Sequence, residues 1–302
     1  MSGAASWQIS GGGYRAVVLE AGGGLGDVWY DDVRIVAGSD PAGAVSAARG
    51  QILVPWPNRL RDGRFSYAGQ THQVALSEPG LDNAIHGLAR WHTWRLRERT
   101  DSSIRLGCRL PARSGYPWTL DLTVAYAVGE DGLTITLGAQ NISSTPAPFA
   151  AGMHPYLDAG APADDCTLHL AATTHQLVDD RLLPTATEET GPASGFDPPR
   201  ALHGVVLDDA FTGLARDDSG WTRVRLEGRH AVEVSADAAW PWVQVFTGDT
   251  LSSAEARATV AIEPMTAPAD AFNSGTDLVE LRPGTPWSGT FRISWAETSS
   301  PR

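Results

Sequence analysis

Residues 120–128 read LDLTVAYAV and residues 132–140 read GLTITLGAQ, two runs in which large apolar residues alternate with small or polar ones. A period of two marks a strand with one face buried and one in water, and Val, Ile, Thr and Tyr pack well on a pleated surface. Asp131-Gly132 between the runs is a tight-turn pair, so the two read as a hairpin. The same alternation continues outward. HTWRLRE and IRLGCRL precede the hairpin, and CTLHLAA, TRVRLEG, HAVEVSA, WVQVFTG, ATVAIE and WSGTFRISW follow it. Near the start, YRAVVLE (14–20) and VWYDDVRIV (28–36) flank glycines 22–24 and 26, which read as a hairpin turn. Those glycines are not a dinucleotide-binding loop, because that fingerprint needs a helix directly after it and a βαβ unit around it. No amphipathic helix of three turns and no fixed-period repeat is evident, which argues against a propeller. The pattern predicts an all-β chain folded as one large antiparallel β-sandwich domain over residues 1–302. The Pro/Gly/acid-rich stretches 158–165 (DAGAPADD) and 186–200 (ATEETGPASGFDPPR) read as loops.

Length alone would admit two domains in 302 residues, but nothing resembles a linker and sandwiches reach this size as one unit. With 42% hydrophobic and 19% charged residues the chain can bury a large core and is not disordered. A formal charge of −12 without a basic run argues against nucleic-acid binding. Cys108 and Cys166 are the only cysteines, too few for a disulfide framework or a Cys-based zinc site. The opening MSGAASWQISGGG lacks the basic and apolar regions of a secretion signal, and no apolar run is long enough to span a membrane, so the expectation is a cytoplasmic protein without a membrane partner. Eleven tryptophans suit a sandwich core and also suit a cleft that stacks on flat apolar ligand faces.

The chemistry is expected in loops around residues 51–91 (with ILVPWPNRLRDGRF and NAIHGLARW), 152–157 (GMHPYL) and 262–273 (IEPMTAPADAFN). Of eight histidines, His86 and His154 stand among turn-forming residues that can aim an imidazole into a cleft. His72, His92, His169 and His230 lie in or beside strand runs and read as structural. No HxH, HxxH or HExxH spacing announces a metal site, so no metal is expected. Glu263 follows the apolar run ATVAI and precedes Pro264, which reads as a carboxylate at the end of a buried strand. Such a carboxylate is costly unless paired, and this makes it a site candidate. Of the adjacent Asp208 and Asp209, one is expected to face inward and the other water.

PNRLRDGRF, NAIHG, GMHPYL, LDDAF and the Glu263 segment occur in the order seen in the aldose 1-epimerase (galactose mutarotase) family, which the chain resembles from about residue 51 to 273. The resemblance implies a β-sandwich enzyme, an isomerase of carbohydrate metabolism that interconverts the α and β anomers of a free hexose without a cofactor. It implies Glu263 as general base, His154 as general acid, and His86, Asp208 and Arg59 as substrate-binding residues. A nearby carboxylate would favour protonated His154 by charge attraction. The continuation after His86, LARWHTW, departs from the glycine-rich sequence of the better-known galactose enzymes and bears on which sugar is preferred. Two alternatives accompany this expectation. One is a hexose-6-phosphate 1-epimerase with Arg59, Arg61, Arg64 and Arg90 as a basic corner. The other is a non-catalytic carbohydrate-binding protein using Trp56, Trp91 or Trp94 as platforms. The partner expected is a small sugar, and the chain is expected to act as a monomer or homodimer.

Overall fold

The strands Leu120–Gly129 and Gly132–Asn141 pair antiparallel along their whole length, with Leu122 opposite Ala139, Val124 opposite Leu137 and Tyr126 opposite Ile135. These residues are buried while the intervening ones are partly exposed, as the alternation predicts. The two connecting residues are Glu130 and Asp131, one position earlier than expected, because Gly132 already pairs with Gly129. The structure, a computed structural model, describes residues 5–41 and 46–298. Residues 1–4, part of the stretch read for a secretion signal, lie outside the described residues.

Among the described residues the strands form a twelve-stranded and a nine-stranded sheet with three two-stranded ribbons, and every ladder between these strands is antiparallel. The inner faces of the two large sheets share one hydrophobic core that runs from Ile9 to Ile293. Burying a Val, Leu or Ile side chain in such a core contributes about 1.5–3 kcal/mol. The N-terminal glycines have a packing role. Gly23 has φ +63 and lies under the buried Trp94, where an added Cβ would come within 2.5 Å of the indole. The chain turns there between Tyr14–Leu19 and Leu25–Tyr30 as expected, and Ser6–Gly11 adds a strand that the sequence reading did not anticipate.

One expected loop is not a loop. Residues 186–200 contribute to the strands Pro184–Glu189 and Phe196–Ala201, each the last strand of its large sheet. An edge strand tolerates prolines and acidic side chains because its outer backbone groups face water, which is why the composition resembles a loop. Among the described residues helix is limited to Ala271–Ser274 and three 3₁₀ turns, and none of these is long and apolar enough to cross a membrane.

Candidate active site

The site lies on the face of the twelve-stranded sheet that points away from the shared core. In the strand Val260–Met265, Ile262 points into the core, so Glu263 points to the other side. Its register partner in Trp242–Phe246 is Gln244, and Asp208 in Asp208–Leu214 is opposite Phe246. Residues opposite one another in a ladder share a face. Tyr156, opposite Ala261, completes the same surface.

Glu263 is not at a strand end, as the sequence suggested. All six residues of its strand are buried, and pairing continues through Val243 and Pro264. On its other side the ladder is interrupted. Ala261 pairs with Tyr156 and Met265 with Gly152, and between them the ladder is interrupted at His154, with the Ile262 amide donating to the Pro155 carbonyl at 3.2 Å. Pro264 has no N–H to donate, so an interrupted ladder is the position where it does least harm. His154 and Glu263 meet at this interruption, with Nε2 3.3 Å from Oε1.

The wall above comes from the Gln51–Trp91 segment, where Arg59–Arg61 pairs with Asn83–Ile85. His86 follows directly with φ +62, a conformation held by two contacts to Asn58. The His86 amide donates to the Asn58 carbonyl at 2.9 Å, and the Asn58 amide donates to His86 Nδ1 at 3.2 Å. Because Nδ1 accepts, the proton of the neutral ring is on Nε2, which is left as a donor. Gly87 has φ +67, and a Cβ there would come 2.2 Å from the Val54 carbonyl oxygen, so only glycine fits after this histidine. The ring of His86 meets that of His154 edge-on at 5.4 Å.

Arg59 is fixed on both sides. Its Nε lies 3.0 Å from Glu78 Oε2 and its Nη2 3.1 Å from Oε1, a two-pronged contact, while Nη1 is 3.4 Å from Asp208 Oδ2. Gln244 donates to the other Asp208 oxygen at 2.7 Å. Of the adjacent pair, Asp208 faces the cavity and Asp209 points to the other side of the strand, where it lies 3.2 Å from His175 in the next strand and is partly exposed. Arg59, His86, His154, Asp208 and Glu263 all line one cavity of about 670 Å³, within the size range of small-molecule sites. The sequence reading missed Glu78, Asn58, Gln244 and Tyr156. Gln244 was findable in principle, since it sits at a polar position of an otherwise apolar strand, WVQVF.

Burial dominates the electrostatics. It pushes His154 down to about 3, with the nearby Arg49 guanidinium acting in the same direction. It pushes the Glu263 carboxyl well above its usual range, helped by the negative charge of Asp208. The expectation of an imidazolium stabilised by charge attraction is not met, because desolvation outweighs attraction. Both shifts favour the uncharged forms, a neutral imidazole beside a protonated carboxyl. Burial also lowers His86, with His154 and two arginines adding to it, and raises Asp208 against the opposing pull of Arg59. His154 Nδ1 and Glu263 Oε2 are buried without a hydrogen-bond partner among the described residues, so each retains bonding capacity.

Two other expectations change. Trp56 and Trp94 are core residues, and of the three candidate platforms only Trp91 is accessible, at 67% exposure on the cavity mouth. The four arginines do not form a basic corner, because Arg59 is held by Glu78 and Asp208, Arg61 pairs with Asp270 at 3.3 Å, and Arg64 lies in a ribbon outside the cavity. No group of three or more His, Cys, Asp or Glu residues among the described residues is arranged to hold a metal ion.

Comparison with known proteins gives the same picture across the chain. The uncharacterized Escherichia coli K12 protein YihR is 32% identical over 288 residues, covering 94% of this chain and 91% of its own. The solved GalM/aldose epimerase homologue from C. elegans superposes with a TM-score of 0.87 at 18% identity, covering 98% of this chain and 100% of that one. A galactose 1-epimerase from Lactobacillus acidophilus gives 0.80 at 20% identity, covering 95% and 92%. At such low identity these two structures establish the fold, a galactose mutarotase-like β-sandwich. The family profile described as aldose 1-epimerase matches residues 6–294, and the chain belongs to that family.

Proposed function

We propose that the protein is a cofactor-independent aldose 1-epimerase that interconverts the α and β anomers of a free hexose. The observation that carries this reading is the contact between His154 and Glu263 on a cavity also lined by His86, Arg59 and Asp208. Anomer exchange requires removal of the C1 hydroxyl proton and protonation of the ring oxygen. The ring opens, the aldehyde rotates about C1–C2, and the steps reverse on the other face. Glu263 serves as the base at the C1 hydroxyl and His154 as the acid at the ring oxygen. The pair needs only one proton between them, which the neutral resting state already holds. Sugar hydroxyls that donate to Glu263 favour its ionised form and so move that proton to His154. Positioned acid–base groups of this kind are worth about 10²–10⁴-fold each.

Binding falls to the remaining residues. His86 offers Nε2–H near the ring oxygen. Asp208, oriented by Gln244 and Arg59, accepts from sugar hydroxyls, and Arg59 offers donors from a guanidinium that Glu78 holds in place at the cavity wall. The test is polarimetry of freshly dissolved α-glucose and α-galactose with and without the protein. Acceleration of mutarotation supports the reading, and no acceleration with any common aldose overturns it.

A further inference from the structure

One guanidinium at the cavity has no counter-charge. Arg90 lines it from the 3₁₀ turn Ala89–Trp91, and unlike Arg59 and Arg49 it has no carboxylate partner among the described residues. Among the described residues its one side-chain hydrogen bond is to the neutral Gln51 Oε1, at 3.4 Å, and its Nε is buried without a partner. Its guanidinium lies over the ring of Trp91 with its central carbon 4.4 Å from the ring centre. A half-buried, unpaired cation is costly, and burial already pushes Arg90 down to about 10. An arrangement of this kind is stabilised when an anion enters.

The position of Arg90 specifies where that anion would be on a sugar. Gln51, which accepts from the Arg90 side chain, also accepts the His154 amide through its carbonyl at 3.1 Å; and whereas Arg59 acts on His154, His86, Asp208 and Glu263 alike, Arg90 acts on the two histidines and not on the two carboxylates. Arg90 is therefore on the imidazole side of the cavity. In a pyranose the ring oxygen links C1 to C5. If C1 is at Glu263 and the ring oxygen at His154, the carbon that extends from C5 lies beyond His154. Across the cavity Glu78 and Asp208 set two negative charges against the single positive charge of Arg59, so that side repels an anion and Arg90 is the cation left to receive one. One negative charge at Arg90 is matched by it, whereas the nearly double charge of a phosphate ester would leave one negative charge unmatched near these carboxylates.

We infer that the substrate is a hexose bearing a singly charged acidic group at C6, such as the carboxylate of a hexuronate, and that Arg90 is the specificity-determining residue that pairs with it. The inference rests on the acid–base reading above for the orientation of the ring. The test compares mutarotation of glucuronate, glucose and glucose 6-phosphate by polarimetry, with calorimetric binding of the same three sugars, in the wild type and in Arg90→Gln. Melting curves of both proteins check that the variant is folded.

A charge-assisted hydrogen-bonded pair is expected to favour glucuronate over glucose by about 10- to 100-fold in kcat/KM, and the preference should collapse toward unity in Arg90→Gln. Glucose or glucose 6-phosphate used as well as glucuronate by the wild type would overturn the inference, whatever the variant does. An unchanged preference in a folded Arg90→Gln would overturn it as well. If no sugar is turned over, the acid–base reading fails and binding alone decides. Glucuronate bound more tightly than glucose, and more weakly by the variant, would uphold the role of Arg90, whereas equal binding would refute it.

Discussion

The hairpin formed by Leu120–Gly129 and Gly132–Asn141 and the strand Val260–Met265 are both buried β-structure, yet they are built by opposite rules. In the hairpin one face meets the core and the other meets water, the ladder is unbroken over ten residue pairs, and no buried carboxylate interrupts it. In Val260–Met265 both faces are covered, the ladder opens on one side, and a carboxylate sits mid-strand against an imidazole. The first region maximises pairing and packing. The second gives up part of both where two titratable groups meet at a buried cavity, the kind of trade expected where stability yields to function.

Substitutions in the two regions should then have separable effects. Glu263→Gln is expected to lower kcat by about 10²–10⁴-fold while the protein keeps its fold and measurable sugar binding, since the amide fills the same space and removes a carboxyl that burial disfavours. Polarimetry with calorimetric binding reads both quantities. A variant that loses its fold would show the carboxyl to be structural and erase the contrast.

Ile135→Ala in the hairpin should do the reverse. It deletes part of a side chain that is 1% exposed in the shared core, costing about 2–5 kcal/mol in denaturant unfolding, with turnover of the folded fraction changed by no more than about twofold. Glu78→Gln is a smaller perturbation at the cavity wall. It loosens the two-pronged hold on Arg59, so KM should rise by about 3- to 10-fold with a smaller change in kcat.

The subtlest expectation concerns pH. Folded His154 is lowered to about 3 from an ordinary 6.5, and folded Glu263 is raised well above 4.5. The pair then gains a second proton only below the ordinary carboxyl range and loses its one proton only above it. Turnover should therefore not fall as pH drops through 4.5, because the pair titrates as a unit. A sharp optimum between 4.5 and 6.5, the ordinary values of an isolated carboxyl and imidazole, would show instead that the two groups ionise independently.

The same contrast explains what could be read in advance. Wherever one strand face meets water, as in LDLTVAYAV, the polarity alternation carries the structure and the expected strands are present. At Glu263 both faces are buried, so the pattern loses its period and the carboxylate looked like a terminus. The edge strands at 184–189 and 196–201 failed for the opposite reason, since solvent on their outer side permits the prolines and acids that normally mark a turn. The five site residues named from the sequence converge on one cavity because they were found through ordered motifs. Glu78 had no such signal. It lies in a short polar stretch, and its role depends on a ribbon that brings residues 59 and 85 side by side. The tryptophans were ambiguous because an indole satisfies a core and a cleft equally, and only burial separates Trp94 from Trp91.

The cavity floor takes Tyr156, Asp208 and Glu263 from strands far apart in the chain, and its wall takes Arg59 and His86 from a segment before them all. No fragment that folds early from neighbouring residues can contain the complete set. Contacts of such long sequence separation form late, after the loss of loop entropy has been met elsewhere. Recovery of turnover after dilution from denaturant should consequently lag behind the return of β-structure, making enzymatic activity a reporter of the final closure of the chain.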